Sequence, residues 1–343
     1  MRANDLWRAA RAAAVLLCVT ISGCASWGAA SAEEYFSIGM AYFDMGKFAE
    51  AEKWLNRART KDKTQTASEY NLGRIAFETK RYEEAAKHFE AILKRDPENI
   101  MALKAAAYTR IKTGEITKAE AHYRKLLELV PESADDGYNY ALVLYAMEKY
   151  AEAESVLNRH EFALLDNNDV LLLYARTQKA QNKVEAIDNY AKWLSNNTDP
   201  KVRYEYAQLL EGQELYARAL EECRAAMSAL AQNAVDPSKA ELHFHIARLL
   251  LIADKGSEEG ITELKGAVSD GFTGVEAMEK LLSDERISAA NRDSIKTIIS
   301  EVKLAAETAR KEQQPPPSAD GAAEAEAAAL ENQTEAAAPP VPE

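Results

Sequence analysis

A ladder of small residues climbs this chain at an almost fixed interval: Ala51, Ala85, Ala119, Ala153, Ala186 and Ala219, in steps of 34, 34, 34, 33 and 33. Four residues beyond each rung stands Leu55, Phe89, Tyr123, Leu157, Tyr190 or Cys223. Three before most rungs stands Phe48, Tyr82, Ile116, Tyr150 or Tyr216. Spacings of three and four put these side chains on one helical face. A second ladder runs ahead of the first: Gly39, Gly73, Ala107, Ala141, Ala175 and Ala207, with Ala247 after a longer gap. Each interval therefore reads as two helices, each with a small residue where they cross. Small residues let antiparallel helices approach closely, and flanking aromatics fill the space between them. One such hairpin cannot bury its own apolar faces, so successive hairpins must stack.

Short polar turns such as "ETKR" and "KTGE" separate the two helices. Pro97, Pro131 and Pro200 follow the second helices, where a residue without an N–H is expected to end them. The segments "EYNLGRIAFETKRYEEAAKHFEAILKRDPEN" and "EEYFSIGMAYFDMGKFAEAEKWLNRA" resemble the tetratricopeptide repeat family. The resemblance implies an all-α fold, a right-handed superhelical solenoid of antiparallel helix hairpins with C-terminal capping helices. Six clear repeats and one degenerate repeat, with Gly260 at its rung, are expected over 32–268. The unit near Val184 reads one residue short, and the second helix of the sixth repeat reads as lengthened to Asp236. Residues 269–311 keep a helical pattern and are expected to cap the array. The segment 312–343 holds six of the ten prolines and many acids, and reads as a disordered Ala/Glu/Pro-rich tail.

The first segment lies outside the repeats. Arg2, Arg8 and Arg11 precede an apolar run from Ala12 to Ile21, the pattern of an export leader too short to span a bilayer permanently. It ends in "ISGC", which resembles a bacterial lipobox. That likeness implies cleavage of residues 1–23 and lipidation of Cys24, followed by a short linker over 24–31. The alternative is an ordinary secretory leader with an incidental cysteine; the position of Cys24 at a small-residue cleavage site favours the anchor. Ala25 and Ser26 in place of Asp imply the outer rather than the inner membrane, facing the periplasm. After cleavage only Cys24 and Cys223 remain, so no internal disulfide framework is expected.

The net charge is −13, which argues against a nucleic-acid surface. No phosphate-cradling glycine loop, HExxH, paired CxxC or nucleophile elbow occurs. Neither enzyme activity, nor a cofactor, nor a metal site is expected, and Cys223 reads as an inert core thiol. The remaining candidate is a groove, because the family resemblance implies that the first helix of each hairpin lines the concave face. There the candidates are Phe36, Tyr70, Lys104, Tyr138 and Tyr204, three before the rungs. Phe43, Phe77 and Tyr145 stand four after them, and Arg74, Tyr108 and Arg176 one after. Aromatics and Arg dominate binding hot spots, which points to another protein or a peptide segment as partner; ordinary partial burial of repeat tyrosines accounts for the same pattern. The sequence thus predicts a lipid-anchored, non-enzymatic interaction scaffold in an envelope assembly, secretion or transport complex. The competing reading is a lipoprotein that handles a small apolar ligand beside a solute-binding transport system.

Overall fold

The computed structural model describes residues 30–159, 167–231, 234–253 and 258–313. The leader, Cys24, and the tail beyond Gln313 lie outside the described residues. Those described form sixteen helices and no strand, with one isolated bridge between Val235 and Ser238. The chain divides into two compact units at Trp193/Leu194. The architecture is an all-α helical-repeat solenoid.

The first unit contains α1 (Ala32–Asp44), α2 (Phe48–Lys61), α3 (Thr66–Glu78), α4 (Tyr82–Leu93) and α5 (Ile100–Lys112). It continues with α6 (Ile116–Leu129), α7 (Ala134–Ala146), α8 (Tyr150–Arg159), α9 (Asn168–Ala180) and α10 (Ala186–Leu194), which crosses the division. Both ladders are buried: Ala51, Ala85, Ala119, Ala153 and Ala186, with Ala107, Ala141 and Ala175, are all 0% exposed. The contact they make is direct. A Cβ added to Gly39 would lie 2.7 Å from Leu55 Cγ, and one added to Gly73 would lie 2.6 Å from Phe89 Cε1. The small rung of each first helix is thus the seat of the large residue four beyond the rung of the second. Stacking then extends the core: Leu55 packs with Leu72 and Ile75 of the next hairpin, and Phe89 with Ala106 of the one after.

The turns within hairpins repeat as closely as the rungs. Gly46, Lys80, Gly114, Glu148 and Asn182 all hold positive φ, between 57° and 77°. In the first, Gly46 N donates to Phe43 O at 2.8 Å and Lys47 N to Tyr42 O at 2.9 Å; Lys80 and Arg81 repeat this on Phe77 and Ala76. This closing pattern satisfies the last carbonyls of the first helix and reverses the chain within three residues. It also sets the aromatics at the two sides of the turn edge to face, at 5.6 Å for Phe43–Phe48, 5.2 Å for Phe77–Tyr82 and 5.4 Å for Tyr145–Tyr150.

The second unit holds α11 (Pro200–Gly212), α12 (Tyr216–Ala229), α13 (Lys239–Ala253), α14 (Glu258–Ser269), α15 (Val275–Leu282) and α16 (Ala289–Gln313). Gly260 is the rung of α14: a Cβ there would lie 2.8 Å from Leu251 Cγ. Ala247, Leu251 and Leu264 continue into Met278, Leu281, Ile295, Ile298 and Ile299 of α15 and α16, one apolar cluster.

Two local expectations change. Pro200 does not end α10; it opens α11 behind the cap Asp199, whose carboxylate accepts from Lys201 N at 2.8 Å. The first helical position needs no N–H, so proline fits there. The second helix of the sixth repeat stops at Ala229, well short of Asp236, and Val235 and Ser238 instead form the bridge before α13. In the short unit near Val184, Lys183 stands where the other second helices start on an apolar residue, and α10 begins only at its rung, Ala186.

Two substitutions of opposite sign test this register. Ala119→Leu is expected to overpack the α5–α6 crossing and cost about 1–3 kcal/mol in urea unfolding. Glu148→Gly removes a side chain from the left-handed region and is expected to stabilise by about 0.5 kcal/mol, after allowing for the looser unfolded chain. An unchanged midpoint in both would contradict the placement of the rungs and turns.

Candidate functional site

In the first unit the expected groove residues fall on α1, α3, α5, α7 and α9, and several meet across hairpins. Arg74 of α3 lays its guanidinium over the Phe43 ring of α1, 4.5 Å from the centroid, while donating to Asn71 Oδ1 at 3.0 Å. Phe77 of α3 lies 5.5 Å from Tyr108 of α5, and the Lys112 ammonium caps the Tyr108 ring at 5.4 Å. The residue four after one rung thus meets the residue one after the next, twice in succession, forming an aromatic and cationic row in which Tyr108 is 43% exposed. Phe36 is half-buried against the first hairpin core, and Tyr70 packs on Phe89 at 5.5 Å.

Farther along, the row changes character. Lys104 is paired at 2.9 Å with Asp136, whose carboxylate is buried and also accepts from Ser133 Oγ at 2.6 Å. Tyr138 and Tyr145 are half-buried against the central core. Burial, and then the charge of Asp169, pushes the Tyr138 phenol above its usual range, while Arg176 opposes them. Tyr204, the last expected groove residue, belongs to the second unit and has different company.

There, Tyr204 and Gln208 of α11, with Phe244, His245 and Arg248 of α13, line a cleft of about 610 Å³ together with Tyr216 and Arg286. Glu211 is its charged centre. This carboxylate is buried, 2.8 Å from His245 Nε2 through one oxygen and bonded to Arg248 through the other. Burial pushes the Glu211 carboxyl up, but His245 and Arg248 outweigh it and hold it below its usual value. Tyr204 meets the His245 ring edge to face at 5.2 Å. Arg286 donates to Tyr216 at 2.5 Å and clasps Asp284, lowering that carboxyl to about 2. Glu211 stands four after the Ala207 rung, a groove offset, whereas His245 and Arg248 are not among the expected groove residues. For Arg248 the signal was present: it stands one after the Ala247 rung, the position of Gln208 about Ala207.

Among the described residues no group of three or more His, Cys, Asp and Glu is arranged to hold a metal, and no helix is long and apolar enough to cross a membrane. Burial raises the Cys223 thiol to about 12, so it stays protonated at neutral pH.

The family model for the tetratricopeptide repeat matches residues 29–100. This chain carries tetratricopeptide repeats. A second helical-repeat model, the TT21 fifth ARM repeats domain, matches residues 70–168 and overlaps the next repeats of the array. An uncharacterized lipoprotein from Treponema pallidum (strain Nichols) is 26% identical over 153 residues, 45% of this chain and 78% of that protein. A tetratricopeptide repeat protein from Parabacteroides merdae ATCC 43184 superposes with a TM-score of 0.49 at 23% identity, covering 73% of this chain and 97% of that one. YrrB, a TPR protein with an unusual peptide-binding site, superposes at 0.48 with 19% identity, covering 57% and 98%.

The Glu211 cluster makes a pH-dependent contribution to stability. A carboxyl lowered in the folded state stabilises above its unfolded pKa, and that contribution fades as pH falls through the folded value. Glu211→Gln is therefore expected to lose about 1–3 kcal/mol at pH 7. In urea unfolding, its gap to the parent should narrow once acid protonates Glu211. A gap that stays constant into acid would refute the ion-pair account.

Proposed function

We propose that this protein is a bacterial lipoprotein scaffold: exported, acylated at Cys24, held on the periplasmic side of the outer membrane, and acting by binding rather than by catalysis. Its ligand is a peptide segment of another envelope protein, taken by the first-unit row from Phe43 to Tyr108 and on towards Tyr138. The observation that carries this reading is one contact repeated between successive hairpins, the residue four after one rung against the residue one after the next, Phe43 under Arg74 and Phe77 against Tyr108, with Tyr108 left accessible. Ring faces and guanidinium planes held by their neighbours lose little conformational freedom on binding, which is why such residues dominate interface energies. The lipobox-like "ISGC" and the lipoprotein relative support the anchor.

The test is site-specific photo-crosslinking in cells. A benzophenone amino acid at Tyr108 is expected to give one dominant protein adduct, and one at Lys87, on the second helix of the preceding hairpin, none. Arg74→Ala combined with Tyr108→Ala should weaken binding of the purified partner at least about tenfold. Equal adducts from both positions, or undiminished binding by the double variant, would remove the row as the binding face.

A further inference from the structure

The large apolar side chains exposed on the first unit are gathered in one place. Among the described residues, and setting aside Met45 and Val184 in turns, they are Ile100, Met101, Tyr108 and Leu142. All four stand on α5 or α7, two neighbouring first helices, and none stands on a second helix. The two helices are joined side to side by Lys104 and Asp136 at 2.9 Å. Met101, 61% exposed, lies two turns before Tyr108 on the same face of α5, with Ile100 beside it. Leu142 holds on α7 the register that Tyr108 holds on α5, one residue after its rung. Met101, Tyr108 and Leu142 are therefore laid out as a patch with two arms of about 10 Å, one along α5 and one across to α7.

Stacking does not call for apolar residues at these positions. Helices α5 and α7 lie inside the array, with α1 to α4 before them and α9 after, so their exposure is not that of an uncovered end. Elsewhere in the first unit the register of Met101 is held by Glu33, Ala67, Asp135 and Asp169. The register of Tyr108 and Leu142 is held by Met40, Arg74 and Arg176. Most sister hairpins thus put a charge where α5 and α7 put a large apolar side chain, and they stack as well for it. Single exposed apolar residues are ordinary, but several on one patch mark a surface that another molecule covers.

The charge of this surface narrows the partner. The charged residues of α3, α5 and α7 are Arg74, Lys104, Arg110 and Lys112 against Glu69, Glu78, Asp135 and Asp136, so the three helices carry no net charge. Neither an acidic nor a basic segment gains net attraction there, whereas apolar bulk does. We propose that the surface over α5 and α7 takes an uncharged segment of a protein partner, whose large apolar side chains, about 10 Å apart, seat on Met101, Tyr108 and Leu142. This rests on the row through Tyr108 as the binding face. It names what that face recognises, and it adds Met101 and Leu142 as residues that set specificity.

The test selects a displayed library of random short peptides on the purified full-length protein. Enriched peptides are expected to carry large apolar residues and no net charge, and their affinity to change less than about twofold between about 0.1 and 0.5 M salt. Met101→Gln with Leu142→Gln, both at exposed positions, should weaken them at least about tenfold at unchanged circular dichroism. Undiminished binding by that variant, or an affinity that falls steeply with salt, overturns the apolar anchor alone, provided that Arg74→Ala with Tyr108→Ala still loses binding. Peptides indifferent to both double variants, or no enriched peptide at all, overturn the row and the anchor with it. A small apolar molecule that the parent retains in native mass spectrometry and the Met101 and Leu142 variant loses would make the occupant something other than protein, and also overturns the proposal.

Discussion

The whole array depends on the meeting of one small residue with one large one. Where Gly73 faces Phe89 there is no room for even a methyl group, and the same holds for Gly39 with Leu55 and Gly260 with Leu251. The crossing therefore fixes how far apart the two helices of a hairpin lie, and the large residue fixes which way they roll. A single contact of this kind would be weak. Repeated at each hairpin it becomes a register, because sliding one helix by a residue would drive a ring or a leucine into backbone. Dense packing makes the fit decisive: an interior filled like an organic crystal has no slack to absorb a methyl group.

That register reappears in the polar contacts. Glu52–Arg81 and Glu154–Lys183 are the same pair three repeats apart, each spanning 29 residues. Glu69–His88, Glu120–Tyr140 and Arg203–Glu222 each join the two helices of a hairpin, or neighbouring hairpins, across 19 or 20 residues. Charged groups are thus placed by a period that apolar contacts set. Arg110 shows the consequence: it is buried, yet Glu90 and Glu115 bond its guanidinium, so its desolvation is offset. The Glu211–His245–Arg248 cluster follows the same logic in the second unit.

The hairpins were legible in the sequence because the small residues are packing contacts, and packing contacts leave a period. Phe48, Tyr82, Ile116, Tyr150 and Tyr216 mark the starts of five second helices, and each of those helices begins at that residue. Turn chemistry was less legible. Gly46, Gly114 and Asn182 announce a left-handed residue, but Lys80 and Glu148 hold the same conformation without any compositional sign, imposed by the helices on either side. Pro200 misled because proline both ends and begins helices, and only the neighbouring Asp199 cap separates the two cases. The row from Phe43 to Tyr108 could be laid out by offset, whereas the pairing of Lys104 with Asp136 could not. It joins different hairpins through side-chain lengths that no period encodes. His245 was missed for a similar reason: its partner Glu211 lies 34 residues earlier, and only the α11–α13 neighbourhood brings them together.

A stacked array has a further difficulty, since the face that each hairpin offers its neighbour is uncovered at an end. At the C-terminal side of the second unit, α15 and α16 contribute Met278, Leu281, Ile295 and Ile298 to the Leu251–Leu264 face, so that apolar surface is removed from water outright. Beyond Val302 the residues of α16 as far as Arg310 are all exposed, which ends the stacking. The first hairpin has no such cover among the described residues. Its second helix keeps the cations of the next hairpin, Lys53 and Lys61 for Lys87 and Arg95, and differs in Arg57 for Ala91 and in Trp54, where later hairpins carry His88 and His122.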